Sequence, residues 1–142
     1  MKRLLLAVIL LTSVTFCIGC GAGAIPKKSL EEKQVLFDDT MAKMTARNYP
    51  AAKEAAMQAL AGGGLTADQA SEVSLVLIES SIRTGDLDGA AKELPNALMN
   101  SMDQAKVYTL QAMLARKRGN EAEAAAAMEK AVQINPESVF PE

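Results

Sequence analysis

Three stretches of this chain carry the same sequence pattern at nearly equal spacing. Gly85-Asp86 recurs 34 residues later as Gly119-Asn120, and Arg47-Asn48 lies 38 residues before the middle copy. Each dipeptide is followed at the same three spacings by apolar residues, namely Ala52, Ala56 and Ala59, then Ala90, Leu94 and Ala97, then Ala124, Met128 and Ala131. Stacked helix–turn–helix units of 34 residues produce this period. The repeat therefore predicts a row of helical hairpins, an architecture that commonly provides a binding surface.

The composition of the chain agrees with closely packed helices. Hydrophobic residues make up 49% of its 142 residues, but there is no Trp and only 4% are aromatic. A β-sandwich needs β-branched and aromatic strands, so this composition argues against one. The formal net charge of −2, from 15 basic and 17 acidic residues, is too mildly acidic to indicate a nucleic-acid partner.

Residues 1–19 have the composition of an export signal. Lys2 and Arg3 precede an apolar run over residues 4–11, and small residues end the stretch. A basic start, a short apolar core and small residues before a cleavage site are typical of a secretory signal peptide. The fully apolar run is shorter than the ~20 residues that span a bilayer, although an uncleaved N-terminal anchor is an alternative.

The end of this leader resembles the lipobox of bacterial lipoproteins, in which a cysteine after a small residue becomes the acylated N-terminus. Gly19 and Cys20 match the last two positions, whereas Cys17 stands where Leu is usual. The resemblance implies a palmitate-bearing lipid anchor on Cys20, and Gly21 implies the outer membrane, facing the periplasm. Ala22-Gly23-Ala24 forms an alternative site, and cleavage after it would release a soluble periplasmic or secreted protein.

Helix start and stop signals divide the rest of the chain into a tether (residues 20–28), a helical domain (29–138) and a C-terminal tail (139–142). Capping-box pairs that start helices are Ser29 with Glu32, Thr66 with Gln69, Ser101 with Gln104 and, more weakly, Asn120 with Glu123. Gly85 and Gly119 are helix stops. The predicted helices cover residues 30–46, 50–60, 67–84, 87–100, 102–118 and 121–134. Pro95 lies inside the fourth, where we expect a kink or a break that divides the helix.

This pattern resembles the tetratricopeptide repeat (TPR), a 34-residue pair of antiparallel helices. In the third copy Tyr108 matches the aromatic position, Ala112 the small position at the helix crossing and Pro136 the closing proline. The middle copy departs at Ile78, which takes the crossing position, and at Met102, where proline is usual; the first copy lacks the glycine. The resemblance covers residues 33–138. It implies an all-α fold of three stacked antiparallel hairpins, a TPR-like right-handed α-solenoid, with an irregular six-helix bundle as the alternative.

The sequence contains no combination of residues that indicates an active site. Histidine is absent, so the commonest general base and metal ligand is missing. Both cysteines lie in the leader, and Gly62-Gly63-Gly64 lacks the Lys-Ser/Thr that follows a phosphate-binding loop. We therefore predict no catalytic residue, no metal and no cofactor. An enzyme that relies on carboxylates alone is the remaining alternative of that class.

The resemblance implies that the first helix of each hairpin lines a concave groove for a protein or peptide. The positions that carry over are Gln34, Phe37, Met41 and Met44 from the first copy, Glu72, Leu75, Glu79 and Arg83 from the middle copy, and Lys106, Thr109, Met113 and Lys117 from the third. They predict a groove that is methionine-rich at one end, acidic in the middle and basic at the other. The spacing of Phe37, Met41 and Met44 also fits a buried stripe, so core packing is the alternative for these three.

These observations lead to one functional hypothesis and one alternative. We expect an exported, lipid-anchored scaffold of the bacterial cell envelope that binds a protein or peptide through its concave surface. The alternative is a structural or pilotin-like accessory subunit of an envelope assembly, held by end-to-end helix packing. No nucleic-acid partner is expected, and the sequence does not define an oligomeric state.

Overall fold

The protein folds into six α-helices and contains no strand within residues 30–140, the range that the structure, a computed structural model, describes. The helices are α1 (Leu30–Thr45), α2 (Tyr49–Gly62), α3 (Ala67–Arg83), α4 (Leu87–Asn100), α5 (Gln104–Lys117) and α6 (Glu121–Ile134). This confirms the predicted all-α fold class, and each helix begins and ends within two residues of its predicted position. The predicted leader, the anchor cysteine Cys20 and the Ser29 cap lie outside the described residues.

The three repeated dipeptides form the same turn between the two helices of each hairpin. Arg47, Gly85 and Gly119 all adopt left-handed backbone conformations, with φ of 55°, 85° and 77°. In each turn the amide of the next residue donates a hydrogen bond to the carbonyl five positions back: Asn48 to Lys43, Asp86 to Ser81 and Asn120 to Ala115, at 2.9–3.0 Å. This bond is the mark of a Schellman helix end, which requires the left-handed residue before it. The repeat in the sequence is therefore a repeat in backbone geometry.

The second residue of each dipeptide then starts the following helix. The side chains of Asn48, Asp86 and Asn120 each accept a hydrogen bond from the amide three residues on, as N-cap residues do. The predicted capping box of Thr66 and Gln69 is confirmed. The one predicted for Ser101 and Gln104 is wrong. Asp103 caps α5 instead: the Ser101 hydroxyl accepts the backbone amide of Asp103, not that of Gln104, and the Gln104 side chain donates to the Ser101 and Leu98 carbonyls.

The fourth helix runs through its proline without interruption. α4 is continuous from Leu87 to Asn100 with Pro95 inside it, so the predicted division of this helix is wrong. Proline cannot donate to the carbonyl four residues back, and in a buried helix that loss would be costly. Pro95 is exposed, so water can reach the turn around it.

Two core clusters lie between the helices. One joins α3, α4 and α5 through large side chains such as Ile78, Ile82 and Leu110, each at most 1% exposed. The other joins α2 and α3 and contains the repeat alanines Ala52, Ala56 and Ala59, with side chains of α1 packed against it. Small residues at these contacts let helix axes approach closely. All the alanines that define the repeat are buried: Ala52, Ala56, Ala59, Ala90, Ala97, Ala124 and Ala131.

The first helices of the three hairpins share one surface. α1 contacts α3 and α3 contacts α5, whereas α2, α4 and α6 make no contacts with one another among the described residues. The first helices are therefore closer together than the second helices. We call the surface formed by α1, α3 and α5 the inner face.

Candidate binding surface

The inner face contains an open cavity of about 380 Å³ where the three first helices meet. Three methionines line it: Met41 and Met44 from the last turns of α1, and Met102 from the connection before α5. We call it the methionine cavity. Leu75 and Val76 of α3, which are 5% and 4% exposed, form part of its wall. Its volume is near the lower limit of small-molecule sites, ~300 Å³, so it can hold one or two side chains of a partner.

The methionines differ in how firmly the fold holds them. Met41 and Met44 are half-buried and pack against the alanine-rich core cluster of α2 and α3. Met102 is 79% exposed. Exposed large apolar side chains that border a concave surface are a feature of binding sites. An unbranched thioether side chain also changes rotamer readily, so this cavity can adapt to the shape of its contents.

Three carboxylates lie at the border of the methionine cavity without an ion pair to any described residue. They are Asp68 and Glu72 in the first turns of α3, and Asp103, which caps α5. The Asp103 carboxylate accepts the Lys106 amide at 2.9 Å, a hydrogen bond that leaves its charge uncompensated by a cation. The cavity therefore combines an apolar interior with a negatively charged border.

Lys106, the one cation that the described part of the chain contributes to the cavity, already has a partner. Its Nζ lies 3.3 Å from Oε2 of Glu79, a residue that is 7% exposed. Arg83 approaches the other oxygen of Glu79 at 3.9 Å. The Arg83 guanidinium also lies over the Tyr49 ring, 5.4 Å from its centroid. A buried carboxylate needs such compensation, and here two cations supply it.

A second cavity, of about 310 Å³, lies further along the inner face beside α5. Thr109 and Glu79 line it together with residues that follow α6, Asn135, Ser138 and Val139. The chain thus turns back beside α5 after α6 ends. The Arg116 guanidinium stacks on the Phe140 ring at 3.7 Å from its centroid and holds the end of this return.

The structure brings together some of the predicted groove residues and separates others. Met41, Met44, Glu72, Leu75 and Lys106 line the methionine cavity, and Glu79, Thr109 and Lys106 line the second one. The remaining five predicted residues line neither cavity. Gln34 hydrogen-bonds Asp38 and Gln69, and Lys117 is exposed at the end of α5. Phe37 packs on the core, Arg83 stacks on Tyr49, and Met113 is 5% exposed inside the large core cluster.

Sequence reasoning missed five residues of the methionine cavity: Ser71 and Val76 within α3, and Asp68, Met102 and Asp103. Asp68, Met102 and Asp103 lie in first turns and connections, where helical periodicity carries no information. The signal that could have found them is their position at the starts of the first helices of neighbouring hairpins. Of the two acids predicted for the middle of the groove, Glu79 is paired with Arg83 and Lys106, whereas Glu72 lines the methionine cavity and has no ion pair within residues 30–140.

Comparisons of the chain with protein-family models, with curated proteins and with solved structures find no match. The interpretation therefore depends on the geometry of the chain itself. None of the helices within residues 30–140 is long and apolar enough to cross a bilayer. In the same range, cysteine, histidine and carboxylate side chains form no group of three that could hold a metal ion.

Proposed function

We propose that this protein is a scaffold that binds a protein or peptide segment on its inner face, in the manner of TPR proteins. The observation that carries the proposal is the open methionine cavity, where three helices and a connection converge on a partly exposed apolar surface. Concave, partly apolar surfaces with a few polar groups are where proteins usually bind their ligands. Binding rather than catalysis also fits a chain without histidine.

We further propose that the protein is exported and anchored to the envelope membrane by a lipid on Cys20. The support is the leader itself: a basic start, a short apolar run and a cysteine after glycine. Acyl-lipid labelling and membrane fractionation of the wild type and of Cys20→Ala test this. The lipid anchor predicts that the variant loses both the label and its membrane association. If it keeps its membrane association without a label, the uncleaved leader is the anchor instead.

Affinity capture from envelope extract, followed by mass spectrometry, tests the binding proposal. Met44→Lys places a charge in the cavity, and we expect it to abolish capture of the partner. The matched control is Met57→Lys, since Met57 is 41% exposed on α2 and lines neither cavity. Circular dichroism of both variants monitors folding. Equal capture by wild type, Met44→Lys and Met57→Lys would overturn binding at the inner face.

One observation favours the alternative of an accessory subunit held by end-to-end packing. α6 is the last helix, and Val132 and Ile134 on it are 41% and 53% exposed. An apolar side chain at the end of a helical row is where another helix would pack. Val132→Lys separates the two proposals: it should leave capture unchanged if the partner occupies the inner face, and abolish it if the partner packs on α6.

A further inference from the structure

We propose that the methionine cavity selects a cationic apolar segment, in which a Lys or Arg lies next to an apolar side chain. This inference rests on the proposed function and adds the chemistry of the partner. It depends on two independent features of the cavity, its unpaired charge and its apolar interior. Neither would suffice alone.

The described residues on the lining of the methionine cavity carry more negative than positive charge. Asp68, Glu72 and Asp103 border it and have no ion pair with any described residue. Lys106 is the only cation that the described residues place on its lining, and Glu79 holds it at 3.3 Å. A cation in the cavity would meet three carboxylates that have no ion pair within residues 30–140, whereas an anion would meet the same three and have to compete with Glu79 for Lys106. Electrostatic complementarity therefore selects a positively charged segment.

The interior of the cavity selects an apolar group in addition. Met41, Met44 and Met102 contribute thioether chains, and Leu75 and Val76 contribute branched ones. Removing these surfaces from water favours an apolar side chain over a polar one. Because the methionines are flexible and Met102 is largely exposed, the exact shape of that side chain matters less than its polarity.

Three labelled hexapeptides provide the probes for a test with the full chain in neutral detergent, with binding to detergent alone subtracted. One alternates lysine and leucine, one glutamate and leucine, and one lysine and serine. We expect the lysine–leucine peptide to bind about tenfold more tightly than the other two, since each lacks one of the two complementary features. Raising the salt to about 0.5 M should weaken this binding, because it screens exposed charges.

Two pairs of matched variants localise the binding. Asp68→Asn/Glu72→Gln removes two charges at the cavity, and Glu54→Gln/Glu129→Gln removes two from exposed positions on α2 and α6. Met102→Ser removes a methionine of the cavity, and Met99→Ser removes one that is equally exposed, 76% against 79%, outside it. We expect losses of about fivefold for the cavity variants and none for their controls.

The outcomes distinguish this inference from the proposed function. If the glutamate–leucine peptide binds as tightly as the lysine–leucine peptide and Met44→Lys abolishes both, the selectivity is wrong while binding at the inner face stands. If the lysine–serine peptide binds as well, the apolar interior plays no part and the inference fails. Equal losses in the cavity variants and their controls would also overturn it.

Discussion

The three hairpin turns allow one backbone prediction to be tested three times within one molecule. Arg47, Gly85 and Gly119 occupy equivalent positions with left-handed backbones, yet only the first has a side chain. Replacing Arg47 by glycine should therefore stabilise the protein. Replacing Gly85 or Gly119 by alanine should destabilise it.

The expected magnitude follows from two opposing terms. A left-handed conformation costs an L-residue about 1–2 kcal/mol, and glycine avoids this cost. Glycine in turn loses more chain entropy on folding, by about 0.5–1 kcal/mol relative to alanine. A Cβ atom on Gly85 or Gly119 would meet nothing within 4 Å, so no steric clash adds to the backbone term. Glycine should thus be more stable than alanine by about 1 kcal/mol at each of the three turns.

Urea unfolding of the wild type and of four variants, Arg47→Gly, Arg47→Ala, Gly85→Ala and Gly119→Ala, measures this difference directly. Arg47→Ala is the essential control, since it removes the arginine side chain but keeps the Cβ that causes the strain. A thermal melt should show a shift of about 4 °C for each kcal/mol in a domain of this size. If Arg47→Gly and Arg47→Ala have equal stability while the other two turns show the expected difference, Arg47 is not strained and the equivalence of the first turn is refuted.

Two further predictions concern a charge and a side-chain position. The Lys53 ammonium and the Gly89 amide hydrogen-bond the Asp86 carboxylate and lower its pKa. A lowered pKa in the folded state means stability that is present above the unfolded pKa of about 3.9 and lost as the pH falls through the folded value. Asp86→Asn should therefore be less stable than wild type at pH 7 in urea unfolding, with a difference that shrinks below about pH 4; a constant difference would contradict this. Met113→Ala should lower the free energy of unfolding by about 2–5 kcal/mol, because Met113 is 5% exposed in the core. Met102→Ala, at a 79% exposed position, should lower it by less than about 0.5 kcal/mol. Equal losses for the two variants in urea unfolding would refute the assigned burial.

The fold was predictable because its signals are local. A left-handed residue, an Asx cap and buried alanines recur together, and each acts within a few residues of its own position. The two errors arise where competing local hydrogen bonds or exposure decide, which residue type alone does not show. The Ser101 hydroxyl accepts the Asp103 amide and the Gln104 side chain donates to the Leu98 and Ser101 carbonyls, which leaves Asp103 to cap α5. Pro95 lies at an exposed position, where water can reach the turn around it.

The binding surface was predictable only in part, because periodicity shows which residues share a helix face but not what covers that face. Met41 and Met113 both occupy inner-face positions of the repeat pattern, yet Met41 lines the cavity and Met113 is buried. The reason is their surroundings. α5 contacts three helices, α3, α4 and α6, while α1 contacts only α2 and α3. The number of neighbours depends on the stacking of the hairpins, which no short stretch of sequence encodes.

That difference in surroundings also explains why Met41 and Met44 lie over the smaller of the two core clusters. The cluster beneath α1 contains Ala52, Ala56 and Ala59, which offer little apolar surface, so the long side chains of α1 supply much of what this hairpin buries. Met41 and Met44 must complete that core while remaining partly exposed in the cavity. Side chains with both roles have to reorient at low cost when a ligand enters, and an unbranched thioether meets that requirement better than a β-branched chain does.

On the α5 side of the methionine cavity, Lys106 belongs to a charge cluster whose other members lie outside the cavity. Glu79 lies between Arg83 of its own helix and Lys106 of α5, and Arg83 in turn stacks on Tyr49 of α2, so one buried carboxylate links all three hairpins. Removing one partner from such a group leaves the others without compensation, which makes rearrangement expensive. A ligand therefore meets adaptable methionine side chains on one side of the cavity and charged groups of α3 and α5 on the other. Its position along the inner face should be set by the charged groups, while the methionines determine how many different side chains it accepts.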